Sequence, residues 1–368
     1  MKAIDHHIES LDAFRGATIV AMILVNNPGN WNAVFPPLMH ADWNGFTLAD
    51  AIFPAFVFIM GVAMPFAFAR RKHTTSVGLY VRVLRRGAVL VALGLALNAV
   101  AAFPHVGALR IPGVLQRIGV VYVIAAAVVL NTSVAAQAVV ATALIGVHWA
   151  LLVTVPFGGH AAGDVTRASN LAGYVDLRVF GHHMLTPLND PEGLLGTLTS
   201  VATALCGALA GWWIRRAPRD QLRVNGLMAA GTGSVLVGLL WSHVWPLNKP
   251  LWTGSYVLVT AGMSAMVLAG FYALIEGAHA RRWAHALVWL GANPLTIYFL
   301  SELTAEIIER PWIAGGAAPK DFVFWSLVAP LVHDGGGVAS SFLFALSYAA
   351  LWVGVAGALY RRGIHIHV

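Results

Sequence analysis

In a chain of 368 residues, 58% are hydrophobic and only 11% carry charge, with a mean hydropathy of +0.72, whereas an ordinary soluble domain is about 25% charged. This balance excludes a soluble globular protein, and apolar segments recurring from end to end with short polar joints predict one integral helical bundle rather than several domains. The net charge of +7 does not point to nucleic acid, because the basic residues gather at segment ends on alternate joints, and the single cysteine, Cys206, can build neither a disulfide framework nor a thiolate metal site.

The expected fold class is all-α: a polytopic transmembrane bundle of about ten spans, near 14–29, 47–69, 87–103, 113–130, 136–156, 196–213, 225–244, 251–274, 284–301 and 339–360. The first opens with Asp12 and Arg15 at pairing distance on one helical face and ends at Pro28 without a small-residue cleavage signature, so it reads as a retained span with its amino end inside. Asn26, Asn27, Trp31 and Asn32 come off its outer end.

The second span is entered through MHADWNGFTLADAIFPAFVFIMGVAM, residues 39–64, in which His40, Asp42, Trp43, Asn44, Thr47 and Asp50 lead into an apolar run. Thr47 with Asp50 three residues on fits a capping box, so the helix is expected to start near Leu48 and leave His40 just outside it. Pro54 removes a helical hydrogen bond and predicts a kink.

Further along, Arg82, Arg85 and Arg86 precede the third span with Arg70, Arg71 and Lys72, and Gln116 and Arg117 stand one turn into the fourth. An unpaired cation there is costly, so a partner or ligand for Arg117 is expected, unless it snorkels to the interface. The inside joints hold these cations and then Arg215, Arg216, Arg219, Arg223, Arg281, Arg282, Arg361 and Arg362. Arg110, Arg167, Arg178, Lys249, Arg310 and Lys320 are spread over longer outside loops. The asymmetry places both termini in the cytoplasm and His40 outside.

Two outside segments exceed plain turns. Residues 157–195 carry Asp164, Asp176, His182, His183, Asn189, Asp190 and Glu192; residues 302–338 contain an apolar patch at 322–331, read as interfacial or re-entrant. Asn248 with Lys249, and Asn293 followed by Pro294, mark other polar points at span ends, and an Asn-Pro pair opens the helix ladder. No P-loop, GxSxG, HExxH or nucleotide-binding GxGxxG occurs. His6, His7, His365 and His367 read as solvated rather than as ligands, and no metal is expected.

Seven stretches together resemble the heparan-alpha-glucosaminide N-acetyltransferase family, most closely its bacterial members: SLDAFRG (10–16), MILVNNPGNW (22–31), HADWNGFTLADAIFPAFVFIMG (40–61), GVLQRIGVVY (113–122), DPEGLLGTL (190–198), NKPLWTGSYVLVTAG (248–262) and GANPLTIY (291–298). The resemblance implies a helical bundle that moves an acetyl group from cytoplasmic acetyl-CoA to an amino sugar or glycan on the far side of a bilayer, here the bacterial inner membrane. The family's active histidine lies in its HAxWNG motif and matches His40; the asparagine of its first-span VN motif matches Asn26.

The chemistry agrees. Acetyl transfer from a thioester to an amine needs a base, donors for the developing oxyanion and a hold on both substrates. His40 serves as base or acetyl carrier and Asn26 as amide donor; Asp42 orients His40, ranked ahead of Asp50 because Asp50 is occupied as a helix cap. Arg82, Arg85, Arg86 and Arg15 suit the phosphates of coenzyme A, and Arg117 and Asn293 mark the path of its pantetheine arm. Trp31, Trp43, Asn44, Glu192, Asn248 and Lys249 are expected at the acceptor. The alternatives are a proton-coupled sugar transporter, with His40 and Glu192 as relays, and a structural membrane subunit; whether the chain forms a homo-oligomer stays open.

Overall fold

The computed structural model describes residues 8–68, 77–311, 316 and 318–366. Arg70, Arg71 and Lys72, together with His6, His7 and His367, lie outside the described residues. The helices are α1 (Glu9–Asn26), α2 (Leu48–Phe68), α3 (Val77–Ala102), α4 (Val114–Asn131), α5 (Val134–Thr154), α6 (Leu171–Phe180), α7 (Leu194–Arg216), α8 (Asp220–Ser242), α9 (Gly254–Tyr272), α10 (His285–Ala292), α11 (Pro294–Ile308), α12 (Pro319–Val323), α13 (Ala329–Val332) and α14 (Val338–Arg361). Among the described residues β-structure is confined to two isolated bridges, Phe157 with His160 and Val165 with Asn170. The all-helical expectation therefore holds.

Among the described residues eight helices are long and apolar enough to cross a membrane, against about ten expected: α2, α3, α4, α5, α7, α8, α9 with its terminal π turn, and α14. The two shortfalls have local causes. Helix α1 has 18 residues but carries Glu9, Asp12 and Arg15, and the expected span 284–301 is broken at Asn293, whose φ of −132° and ψ of 48° end α10 and admit Pro294 as the first residue of α11. Helix α3 starts earlier than expected, so Arg82, Arg85 and Arg86 sit exposed on its first turns rather than in a joint. The apolar patch 322–331 is itself helical, α12 and α13 being joined by a π turn, Phe324–Val328.

The chain divides into two compact units. The first comprises residues 42–46 and 54–279, with Ile8; the second comprises residues 9–41, 47–53 and 280–366. In the first unit α4 packs on α3 and α7, α5 on α7, and α9 on α7 and α8. Backbones meet because small residues face one another: a Cβ on Gly61 would lie 1.8 Å from the Ala204 carbonyl oxygen, and one on Gly207 2.0 Å from that of Phe58. Trp252, Tyr256 and Phe58 are fully enclosed, while Val81, Leu84, Val139, Leu236 and Leu240 stand exposed on α3, α5 and α8 as lipid-facing residues would. A satellite core of Leu152, Phe157, Leu171 and Trp245 anchors the long segment around α6.

In the second unit α1 packs chiefly on α10 and also on α11 and α14. The same device operates: a Cβ on Gly291 would lie 2.0 Å from the Asp12 carbonyl oxygen. One main-chain and one side-chain bond fix the turn after α1, with Gly29 N donating to Ser341 O at 3.2 Å and Asn30 Nδ2 to Gly336 O at 3.1 Å.

Candidate active site

In the second unit the approach to α2 is folded around one carboxylate. Asp50, 1% exposed, lies in the first turn of α2 and reaches back over it: its Oδ2 accepts from Thr47 N at 3.1 Å and from Ala41 N at 3.1 Å. Thr47 Oγ1 donates to Met39 O at 2.7 Å, which draws residues 39–41 across the helix start. The consequence is that Asp50 Oδ1 sits 2.8 Å from His40 Nδ1, with the His40 side chain 46% exposed. An acceptor-only carboxylate holds the proton on Nδ1 and leaves Nε2 as the basic nitrogen. That is the geometry of an oriented general base.

Asn26 ends α1, and its Nδ2 donates to Glu302 Oε1 on α11 at 3.3 Å. Trp31 is 58% exposed, with Lys320 Nζ 5.9 Å from its ring centroid; Lys320 in turn pairs with Glu309 at 2.5 Å. Elsewhere in the unit Arg15 Nη1 bonds Asp12 at 2.7 Å and the Gly291 carbonyl at 3.3 Å. Asn293 is enclosed and its amide is engaged by main chain at both ends: Nδ2 donates to Ile364 O at 2.9 Å, and Oδ1 accepts from Ile366 N at 2.7 Å.

The first unit holds the other polar groups. Asn248 Nδ2 donates to Trp43 O at 3.1 Å and Asn44 Oδ1 at 3.0 Å, Gly45 N donates to Leu247 O at 2.8 Å, and Trp43 Nε1 donates to Val165 O at 2.9 Å. Lys249 contributes its carbonyl to Trp252 N at 3.0 Å. Asp42 pairs with Arg167 at 2.6 Å in the open, its side chain 89% exposed, where such a pair contributes little to stability. Arg86 lies over the Tyr122 ring at 4.9 Å.

Arg110 bonds both oxygens of Asp190, Nε to Oδ2 at 2.8 Å and Nη2 to Oδ1 at 2.6 Å, and also binds Glu192. Burial opposes the charge on each partner, but the mutual bonds win, raising the Arg110 pKa and holding that of Asp190 below the usual carboxylate range. Asp176 behaves oppositely. Burial, reinforced by the Asp190 charge and opposed by a bond from Leu194 N at 2.8 Å, pushes its pKa up to about 6. Arg117 is 2% exposed, donates from Nη2 to Gly193 O at 2.9 Å, and stacks on Trp252 at 5.0 Å. Its Nε and Nη1 have no hydrogen-bond partner among the described residues. This enclosure corrects the snorkelling alternative.

Of the capping box expected at Thr47 and Asp50 the carboxylate half forms, whereas the Thr47 hydroxyl donates to Met39 O instead of accepting from a first-turn amide, and the order of the two aspartates is reversed: Asp50 caps and touches His40 at once, while Asp42 is engaged by Arg167. A cap uses one carboxylate oxygen, and the other was available. Glu192 is bound by Arg110. Sequence reasoning missed Glu302 and the Arg110–Asp190 pair; they meet partners 276 and 80 positions away, and no local spacing signals either. Among the described residues no group of three or more His, Cys, Asp or Glu side chains is disposed to hold a metal ion.

Fold and site define the class as an integral, polytopic all-helical membrane protein with an aspartate-oriented histidine at the mouth of a helix. Residues 7–160 match the family described as "Heparan-alpha-glucosaminide N-acetyltransferase, catalytic". Over 99% of its length the chain is 26% identical to the human heparan-alpha-glucosaminide N-acetyltransferase, and over 97% it is 25% identical to the mouse protein. Over nearly all of its length the chain is thus similar to two heparan-alpha-glucosaminide N-acetyltransferases. It spans 60% of the length of each of these two relatives.

Proposed function

We propose that this protein is an acetyl-CoA-dependent transmembrane acyltransferase that moves an acetyl group from cytoplasmic acetyl-CoA to an amino sugar or glycan outside the cytoplasm. The observation that carries the reading is His40, in the HADWNG motif, held by Asp50 at 2.8 Å in a relative of named N-acetyltransferases. His40 Nε2 takes the proton as the acceptor nitrogen bonds the acetyl carbon. The carbon–sulfur bond of the thioester then breaks, and the coenzyme leaves as a thiol once the sulfur is protonated. The second N–H of Asn26 stabilises the oxyanion formed in between.

Arg82, Arg85 and Arg86, exposed on the first turns of α3, are assigned to the coenzyme phosphates. Arg15, Arg117 and Asn293 are assigned to the donor as well, and Trp31, Trp43, Asn44, Glu192, Asn248 and Lys249 to the acceptor. The setting proposed is a bacterial inner membrane with both termini cytoplasmic. Purified protein in vesicles, given acetyl-labelled acetyl-CoA and a panel of amino sugars, tests the reading: N-acetylated product is expected. Sugar uptake without acetylation would replace the enzyme with a transporter.

A further inference from the structure

A side-chain amide presents an acceptor on one side and two donors on the other, and its neighbour decides which way it faces. Asn26 has one side-chain hydrogen bond among the described residues, from Nδ2 to Glu302 Oε1 at 3.3 Å. Glu302 Oε1 accepts here, and in its ionised form the side chain can only accept, so this partner holds the –NH2 group toward α11 and disfavours the flipped amide, whose oxygen would face the carboxylate. The two hydrogens of an amide nitrogen diverge by about 120°, so one points at Glu302 and the other is left for a ligand.

Glu302 is itself held. The carbonyl of its neighbour Ser301 accepts from Tyr348 Oη at 2.7 Å, and Ser301 Oγ donates to Tyr298 O at 2.8 Å. On the other side, α1 ends with Asn27 Nδ2 bonded to Ile23 O at 2.8 Å. A carboxylate on the apolar helix PLTIYFLSELTAEII is costly to keep, and no cation is bonded to it among the described residues. Its one bonded partner is the amide assigned to the oxyanion.

We infer that Glu302 is a positioning residue for the transfer reaction, acting through Asn26 by fixing the amide with its donor face toward the thioester oxygen. The inference rests on the proposed function and adds a residue outside the motif-bearing segments. Negative charge builds on that oxygen only along the path to the tetrahedral oxyanion and is absent from the bound thioester, so the effect belongs in kcat rather than in KM.

The test is a double-mutant cycle on the full chain in vesicles, with labelled acetyl-CoA and the best amino-sugar acceptor. Asn26→Ala is expected to lower kcat about a hundredfold. Glu302→Met, which offers no acceptor, is expected to lower kcat about tenfold while both KM values stay within about twofold. Glu302→Gln, which keeps a carbonyl oxygen, falls between it and the wild type. In the Asn26→Ala background Glu302→Met should have no further effect. If Glu302→Met lowers the folded fraction by size-exclusion chromatography, Glu302→Gln completes the cycle. Wild-type kcat in Glu302→Met, or losses that multiply in the double variant, overturns the positioning role alone. Absence of acetyl transfer by the wild type overturns the proposed function and this role with it.

Discussion

Replacing Asp50 by Asn separates orientation of His40 from mere packing, because the two side chains have nearly the same shape. Asp50 Oδ2 receives the backbone N–H groups of Ala41 and Thr47, each at 3.1 Å, and Oδ1 faces His40 Nδ1 at 2.8 Å. Asparagine has one acceptor oxygen for these two positions. Two backbone donors outweigh one imidazole, so its oxygen goes to Ala41 and Thr47 and its –NH2 turns to His40. Nδ1 must then accept, the ring proton moves to Nε2, and the base is lost. An inverted tautomer in the serine-protease triad lowers kcat by about 10⁴; with a histidine as exposed as this one, partial reorientation sets the expectation at about 10²–10⁴, or roughly 3–5 kcal/mol at 1.36 kcal/mol per decade. The cap is largely retained, so the melting temperature should fall by only a few degrees. Steady-state kinetics with saturating acetyl-CoA, alongside thermal unfolding in detergent, measure both. A kcat within threefold of wild type in a folded Asp50→Asn protein would refute the assignment of Asp50 as the orienting group.

His40→Ala should abolish transfer while leaving thermal stability within about 0.5 kcal/mol, since the side chain is 46% exposed; retained turnover would remove His40 from the chemistry. Neutralising Arg82, Arg85 and Arg86 together should weaken acetyl-CoA binding at least tenfold and leave acceptor affinity unchanged, as read by equilibrium binding of each substrate; equal loss of both would instead indicate general disruption. Asp176 should make stability pH-dependent in a particular sense. Its folded pKa, about 6, is raised above the ordinary 3.8, so its contribution is fully present below about pH 4 and is lost as pH rises through 6. Asp176→Asn keeps an acceptor for Leu194 N and removes the titration. Its stability relative to wild type should therefore rise between pH 4 and 7 by up to about 3 kcal/mol, and a pH-independent difference would count against this assignment.

Signals that act within a few residues were readable from the chain. Apolar length gave the long helices, Thr47 and Asp50 gave the start of α2 at Leu48, and Asn293 with Pro294 gave an opening in the ladder, which proved a full break between α10 and α11. Contacts set by three-dimensional packing were not readable. Whether Asp42 or Asp50 meets His40 depends on the path of residues 39–47, which a hydroxyl-to-carbonyl bond from Thr47 to Met39 determines. Similarly, Arg110 finds Asp190 only after α4 and α7 have packed, and nothing in either neighbourhood encodes the partner.

The packing of α1 on α10, α11 and α14 has a consequence for biogenesis. A ribosome delivers α1 long before the helices that cover it: Asn26 waits for a bond partner 276 positions downstream, as does Arg15 for the Gly291 carbonyl. Through most of elongation the face of α1 that bears Gly16, and the Asp12–Arg15 pair beside it, must go uncovered by the rest of the unit, because the Leu287 backbone that Gly16 admits has not been made. Closing so long a loop is slow relative to forming neighbouring hairpins. The second unit is therefore assembled late, by its first helix capturing its last ones, and substitutions on α1 that leave a purified protein intact will be felt first as loss during synthesis.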